Sequence, residues 1–74
     1  MMPIKQFINK IKYDPKENPD DYVLVYRDFD KESEIRFTDI KDIEGNFIIS
    51  KFAEIPLHRI RKVLKNGEIV WERK

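Results

Sequence analysis

The chain of 74 residues contains no cysteine, one histidine and two glycines. The absence of cysteine excludes disulfide bonds and thiolate metal sites, and a single histidine argues against a zinc site built on histidines. No apolar stretch approaches the roughly 20 residues that a membrane-spanning helix needs, so no membrane span is expected. The N-terminal region has neither an apolar signal core nor a small-residue cleavage site, and we expect a cytoplasmic protein. A chain this short predicts one domain, residues 1–74, with a small core.

Positive charge is concentrated at the two ends of the chain. Residues 1–13 carry a formal charge of +3, residues 14–50 carry −6 and residues 51–74 carry +4. The folded surface could therefore be bipolar, or the segments could interleave so that their charges neutralise one another. The net charge of +1 by itself argues neither for nor against a nucleic-acid partner.

Hydrophobic spacing predicts a helix at the start of the chain. Four apolar residues recur at the spacing of one helix face: Ile4, Phe7, Ile8 and Ile11. This spacing predicts a helix over Pro3–Lys12 with Pro3 in its first turn. The helix is expected to end before Pro15, because a residue that precedes proline avoids the helical region. Phe7 and Ile11 are expected to be buried against the rest of the fold.

The remainder of the chain predicts short strands separated by turns. Tyr22–Tyr26 is apolar on both faces, which favours a central position in a sheet. Asp39–Ile43 fits either a helical turn or a strand. Further strands are predicted at Glu34–Thr38, at Phe47–Ile49 and in a C-terminal hairpin. The sequence shows no internal repeat, and it predicts an α+β fold with one N-terminal helix packed on a small, mostly antiparallel sheet of about four or five strands. That sheet could curl toward a barrel, and it ends in the hairpin.

The clearest turn signal lies in the last third of the chain. Asn66-Gly67 between two β-prone runs predicts a two-residue type I′ turn, because both central residues need a positive φ. Regular pairing outward from that turn places Arg61 opposite Glu72. It also places Trp71 on the same face as Ile69. Neither face of the hairpin is cleanly polar, so the sequence leaves open which one is buried, and it favours burial of this more apolar face.

His58, the single histidine, is the only obvious general acid–base candidate. Cleavage of RNA and opening of cyclic phosphates usually combine an acid with a base, and the paired His-x-Thr/Ser motifs of two-histidine phosphoesterases are absent. A recognisable nucleophile motif is also missing. The sequence has no glycine-rich phosphate loop either, and we expect no cofactor. Asp28 and Asp30 have the spacing of metal ligands, but such pairs are common in acidic turns and no metal site is predicted. We interpret the chain as a non-enzyme, with a weak phosphodiesterase that uses His58 as the alternative.

Binding of a phosphate-bearing ligand fits the C-terminal hairpin better than catalysis does. Arginine donates paired hydrogen bonds to phosphate oxygens, and aromatic rings hold unstacked bases. The candidate residues here are His58, Arg59, Arg61, Lys62, Trp71 and Arg73. A structural role is the alternative for several of them. His58 could hydrogen-bond to the backbone and Trp71 could belong to the core. Arg61 could form a surface ion pair with Glu72.

Three segments of the chain carry a resemblance to a known family. They are the helix exit within Ile8–Pro15, the tyrosine-centred strand within Tyr22–Asp28, and the block Ile55-Pro56-Leu57-His58-Arg59-Ile60 with Gly67 and Val70-Trp71-Glu72-Arg73. In these segments the chain resembles small archaeal proteins, long uncharacterised, whose domain is described as an RNA cyclic-group end recognition domain. It also resembles the C-terminal part of some two-histidine phosphoesterase-like proteins. The chain departs from the family pattern after Tyr26, since no glycine follows Arg27-Asp28-Phe29.

The resemblance implies an RNA-associated domain that recognises ends bearing a 2′,3′-cyclic phosphate or a similar phosphate group. It adds Tyr26 and Arg27 to the candidate RNA-contacting residues. The implied partners are single-stranded RNA or its 3′ end and a separate RNA-processing enzyme. The rival interpretation is a protein-interaction module of an RNA-processing complex, in which the acidic middle and basic ends bind a partner or a second copy. The sequence leaves the oligomeric state open.

Overall fold

Three β-hairpins, each entered through a single 3₁₀ turn, follow the N-terminal helix in the computed structural model, which describes residues 3–73. Helix α1 spans Ile4–Tyr13. The first hairpin has the turn Pro19–Asp21 before β1 (Tyr22–Asp28) and β2 (Lys31–Arg36). The second has the turn Phe37–Asp39 before β3 (Ile40–Glu44) and β4 (Phe47–Ser50). After the short strand β5 (Glu54–Pro56), the third has the turn Leu57–Arg59 before β6 (Ile60–Lys65) and β7 (Glu68–Glu72).

This unit of turn, strand, tight loop and strand is a repeat of structure that the sequence does not display. The same unit shows the conformation of Asp39–Ile43, which the sequence leaves open between a helical turn and a strand. The turn ends at Asp39 and β3 begins at Ile40, so Asp39–Ile43 contains a part of each. The predicted strand Glu34–Thr38 is cut short by the same turn, and β2 ends at Arg36.

The strands form two antiparallel sheets. The first has the order β2–β1–β6–β7, and the second has the order β3–β4–β5. The predicted α+β architecture, with one N-terminal helix on antiparallel strands and a hairpin at the end, is confirmed. Residues 3–73 contain seven strands in two sheets rather than four or five in one, and neither sheet closes into a barrel. β1 lies between β2 and β6, which confirms the central position predicted for Tyr22–Tyr26.

One apolar core is shared by the helix and both sheets. The helix contributes three buried isoleucines, while Phe7 packs against the cluster and stays half-buried. Cross-strand pairs build a row on the inner face of the first sheet that runs through Ile35, Leu24, Val63 and Trp71. A shorter row in the second sheet runs through Ile43, Ile48 and Ile55. Removal of this apolar surface from water is the main stabilising contribution to the fold.

The helix begins and ends one residue later than predicted, with Pro3 as its N-cap (φ −59°, ψ 147°). Its last turn is tied to β3, because Lys12 Nζ donates to Asp42 Oδ1 at 3.2 Å. This hydrogen bond is the main cause that raises the pKa of Lys12. The pKa of Asp42 is lowered, first because the backbone N–H of Ile43 donates to its Oδ1 at 2.8 Å and second because of Lys12.

A β-bulge at Arg61 lets two residues three positions apart reach the same core. Ile60 pairs with Tyr26 of β1, and Lys62 pairs with the adjacent Val25. Arg61 lies between these two pairs without a partner in β1, so it is an extra residue in β6. In a regular strand Ile60 and Val63 would face opposite sides of the sheet. The extra residue brings both of them inward, where they are fully buried, and leaves Arg61 exposed.

The turn predicted at Asn66-Gly67 is confirmed. Asn66 has a φ of 51° and Gly67 a φ of 86°, as a type I′ turn requires. No heavy atom beyond the chain neighbours lies within 4 Å of the place where a Cβ of Gly67 would be, so the backbone angle and not crowding favours glycine there.

The predicted register of this hairpin is wrong beyond the first two pairs, because Val70 forms a second bulge in β7. Trp71 therefore pairs with Val63 and lies in the core, where it is 6% exposed. Ile69 lies on the other face and is 52% exposed. The face that carries Ile69 is thus the outer face of the sheet. Because of the bulge, Trp71 lies on the inner face, opposite to its predicted position.

The helix should carry a large share of the stability through Ile8, which is 1% exposed. We expect Ile8→Ala to lower the free energy of unfolding by about 2–5 kcal/mol, because the change removes buried methyl groups and leaves a cavity. Urea denaturation monitored by circular dichroism measures the change. The same substitution at Ile69, on the outer face, is the matched control and should stay within about 0.5 kcal/mol. Equal losses for the two variants would show that the helix is not a core element.

Candidate nucleic-acid interface

The 3₁₀ turn Leu57–Arg59 places two polar side chains outward between two buried anchors. Pro56 precedes the turn with a φ of −60° and a ψ of 135°. Leu57 is 7% exposed and Ile60 is fully buried, so both ends of the turn are fixed in the core. His58 and Arg59 lie between these anchors and are exposed. The spacing of buried, polar, polar, buried therefore presents an imidazole and a guanidinium side by side.

Hydrogen bonds from Arg73 hold this turn in place. Its Nε donates to the carbonyl oxygen of Ile60 at 2.9 Å, and its Nη2 donates to that of Leu57 at 3.0 Å. The backbone N–H of Leu57 donates to the carbonyl oxygen of Asn46 at 2.8 Å. The guanidinium of Arg73 also lies 5.3 Å from the centroid of the Trp71 ring. Arg73 is therefore a structural part of the site, and its charge is already partly committed to carbonyl dipoles.

A basic cleft of about 300 Å³ lies between this turn and the loop that joins β1 to β2. Its lining is Arg27, Phe29, His58, Arg59 and Arg61, and we name it the arginine cleft. Arg27 comes from the end of β1, and Arg61 is the bulged residue of β6. The bulge thus serves two purposes, since it places Ile60 in the core and adds a third guanidinium to the cleft.

No residue of the arginine cleft forms an ion pair with another described residue. Four ion pairs form within residues 3–73, and none involves a residue of the cleft: they are Lys12–Asp42, Arg36–Asp39, Lys51–Asp39 and Lys65–Glu17. Within the same residues, no side-chain hydrogen bond forms to His58, Arg59 or Arg61. Arg27 Nε donates to the carbonyl oxygen of Phe29 at 3.2 Å. Three arginines that lack acidic partners are an arrangement suited to anions.

Two further clefts adjoin the first. One, of about 380 Å³, shares His58 with the arginine cleft and includes Lys5, Asn46, Trp71 and Arg73. The other, of about 140 Å³, shares Arg59 and includes Tyr26, Asp28 and Glu54. The turn Leu57–Arg59 is therefore the point at which the three clefts meet.

Sequence comparison identifies the family of the chain. The model of the MJ1316 RNA cyclic group end recognition domain matches residues 1–73. The chain belongs to this family. A UPF0248 protein of Pyrococcus abyssi is 40% identical over 73 residues, which cover 93% of this chain and 87% of that protein. A UPF0248 protein of Saccharolobus solfataricus is 37% identical, with 97% and 98% of the two chains covered. One of Methanococcus maripaludis is 35% identical, with 96% and 99% covered. No solved structure matches the chain.

The C-terminal block that carries part of the resemblance includes the turn at which the clefts meet. The segment from Ile55 to Ile60 ends β5, forms the 3₁₀ turn and begins β6. Val70 and Trp71 supply the bulge and the buried ring of β7, and Arg73 binds the carbonyl groups of the turn. In this member of the MJ1316 family, Arg73 thus joins the two parts of the C-terminal block by direct hydrogen bonds.

Most of the residues predicted from the sequence surround that turn. The arginine cleft contains Arg27, His58, Arg59 and Arg61; the larger neighbour contains Trp71 and Arg73; the smaller contains Tyr26. Lys62 lines none of these three clefts, because it lies on the outer face opposite Glu72. The predicted pair of Arg61 with Glu72 is wrong, because Glu72 pairs with Lys62. Trp71 lines its cleft but is 6% exposed, so little of its side chain is open to a ligand.

Phe29 is the residue of the site that sequence analysis missed. It lines the arginine cleft and is 84% exposed. The signal was present in the departure from the family pattern, since the glycine expected after the Tyr26 strand is absent. A hairpin turn without glycine or asparagine is an ordinary polar loop in the sequence, and its exposed aromatic ring becomes notable only beside the arginines.

Two other findings bear on the sequence-based expectations. Between residues 3 and 73, no helix has the length and apolarity needed to cross a membrane. Within the same residues, no group of three or more histidine, cysteine, aspartate or glutamate side chains is arranged to hold a metal ion.

Arg73→Ala should destabilise the protein, because the carbonyl groups of Leu57 in the turn and of Ile60 just after it would lose their charged donor. We expect the free energy of unfolding to fall by about 2 kcal/mol, a typical value for hydrogen bonds from an ionised group. Urea denaturation of the two proteins provides the measurement. Arg59→Ala is the control, since Arg59 is exposed and makes no such bond, and it should change stability by less than about 0.5 kcal/mol. An Arg73→Ala protein as stable as the unchanged chain would contradict the structural role.

Proposed function

We propose that the chain binds RNA ends that carry a phosphate or a 2′,3′-cyclic phosphate, and that the arginine cleft is the binding site. The single observation that carries this proposal is the convergence of three arginines without acidic partners on one cleft beside His58. The family description, RNA cyclic group end recognition domain, supports the same ligand.

The chemistry of the cleft fits a terminal phosphate. A guanidinium offers several N–H donors in one plane and can hold two oxygens of one phosphate group. Arg59 and Arg61 are exposed and free to adjust to a ligand, while Arg27 is steadied by its bond to the carbonyl oxygen of Phe29. His58 adds a further donor, and the turn that carries it is fixed by Arg73. Binding would therefore require little rearrangement of the backbone.

The proposal includes a non-catalytic role. Opening a cyclic phosphate requires a proton acceptor for the attacking water and a proton donor for the leaving oxygen. His58 is the only imidazole in the chain, and the other polar residues that line the arginine cleft are arginines, which stay protonated in proteins. We therefore assign chemical processing of the RNA end to a separate enzyme.

A protein-interaction module is the second candidate, and one observation favours it. β7 is an edge strand of the four-stranded sheet, with Ile69 and Val70 52% and 41% exposed. Such an edge can pair with another chain. The RNA-processing enzyme proposed as a partner could use this strand while the arginine cleft holds RNA.

The test compares short single-stranded RNAs that end in a 3′-hydroxyl, a 3′-phosphate or a 2′,3′-cyclic phosphate at fixed salt, by fluorescence anisotropy. We expect both phosphate-bearing ends to bind more tightly than the hydroxyl end. Arg59→Ala and Arg61→Ala should each weaken binding about 10-fold or more, as loss of a charge-assisted hydrogen bond does. Each should also lower the slope of log affinity against log salt by about 0.7 for every phosphate that the variant no longer neutralises.

Arg36→Ala is the matched control, because Arg36 is an exposed arginine that pairs with Val23, near the end of β1 away from Arg27. It should leave affinity for the phosphate-bearing ends nearly unchanged. Equal affinity for all three ends would leave only a generic basic surface. Absence of binding would favour the protein-interaction module. Conversion of the cyclic phosphate, lost in His58→Ala, would show that the chain is an enzyme.

A further inference from the structure

Phe29 occupies a backbone conformation that is unfavourable for a bulky side chain. It is the first central residue of the two-residue loop between β1 and β2, and its φ is 59°. A positive φ at a bulky residue is a true outlier, because the Cβ atom crowds the backbone. The ring is nevertheless 84% exposed, so burial of the ring does not compensate for this strain.

The other two-residue loops of the chain carry residues that adopt this angle more readily, with Asn66 at a φ of 51° in the third hairpin. Gly45 is the first central residue of the equivalent loop between β3 and β4, and its φ is also 59°. Glycine adopts this angle without steric cost. The second hairpin thus uses glycine where the first uses phenylalanine at the same angle. Backbone strain of this kind concentrates at functional sites, where the strained group has a task other than stability.

The position of the ring indicates that task. Phe29 lines the arginine cleft together with Arg27, Arg59 and Arg61. Its carbonyl oxygen accepts the hydrogen bond from Arg27 Nε at 3.2 Å, so the loop and the guanidinium are fixed relative to each other. A flat apolar surface beside guanidinium groups offers a contact for the base of a nucleotide whose phosphate the arginines hold.

We infer that Phe29 is a base-stacking platform for the terminal nucleotide of the RNA end. The inference rests on the proposed function and adds to it the chemical requirement for an intact, unpaired base next to the bound phosphate. The ring contacts a π-face, which every base has, so the platform should select for an unpaired end and not for a particular sequence. The strained loop keeps the ring out of the core and available to the ligand.

The experiment uses the full chain and short single-stranded RNAs that end in a 2′,3′-cyclic phosphate, with affinity measured by anisotropy and stability by thermal unfolding. Phe29→Gly removes both the ring and the strain. We expect it to weaken binding about 10- to 100-fold, the usual effect of losing one base–aromatic stack, while the melting temperature rises by about 4–8 °C. Opposite changes in the two readouts distinguish this role from a structural one, which would lower both.

Two further variants separate the ring from the backbone. Phe29→Ala removes the ring and keeps a Cβ atom at the positive φ, so affinity should fall as in Phe29→Gly without the gain in melting temperature. Phe29→Tyr should retain affinity. Phe52→Ala is the matched control, because Phe52 is an exposed phenylalanine, 79% accessible, that lines none of the three clefts. It should leave binding unchanged.

A second RNA, with an abasic terminal nucleotide and the same cyclic phosphate, tests the ligand side. The unchanged chain should bind it as weakly as Phe29→Ala binds the intact RNA, and Phe29→Ala should not distinguish the two RNAs. If Phe29→Gly and Phe29→Ala bind intact RNA normally while Arg59→Ala and Arg61→Ala do not, the platform is overturned and the proposed function stands. If neither the unchanged chain nor any variant binds RNA, the proposed function and the platform are both overturned.

Discussion

The bulge at Arg61 is the constraint on which the site depends. The core needs Ile60 and Val63 on one side of β6, although they are three residues apart and a regular strand would separate them. One extra residue in β6 places both side chains on the inner face. That residue is Arg61, whose charged side chain stays exposed. The second bulge, at Val70, does the same for Trp71, which joins Val63 in the buried row. The packing requirement and the basic cleft therefore have a common origin in strand register.

The three 3₁₀ turns share a backbone conformation but carry side chains of different charge. Each leads into a hairpin, and the three are Pro19-Asp20-Asp21, Phe37-Thr38-Asp39 and Leu57-His58-Arg59. The first two carry acidic residues, whereas the third carries the imidazole and a guanidinium. Asp39 of the second turn accepts ion pairs from Arg36 and Lys51. No carboxylate within residues 3–73 lies within ion-pair distance of Arg59 in the third. The ion pairs of Asp39 thus involve bases outside the arginine cleft, and the described arginines of the cleft form none.

The sequence predicted the elements whose signals are local. The isoleucine spacing indicated the helix, the apolar run from Tyr22 indicated the central strand, and Asn66-Gly67 indicated the turn. The bulges were not predicted, because the side chains that β6 and β7 must turn inward are decided by the core, which is built from elements distant in sequence. Their trace in the sequence is that neither face of the last hairpin is cleanly polar. His58 and Arg59 were identified from their motif, but the role of Arg73 depends on carbonyl groups that only the folded turn brings to it. Phe29 was missed because its importance lies in a backbone angle and in neighbours from another hairpin.

The central claim is that a phosphate-bearing RNA end occupies the arginine cleft. Nuclear magnetic resonance of the ¹⁵N-labelled chain, titrated with a short RNA that ends in a 2′,3′-cyclic phosphate, tests this claim most directly. We predict that the Nε–Hε signals of Arg27, Arg59 and Arg61 move, together with the backbone amide of Phe29, while the amide of Ile69 on the outer face does not. Shifts confined to the edge strand β7, or spread evenly over the basic residues of the chain, would contradict the account.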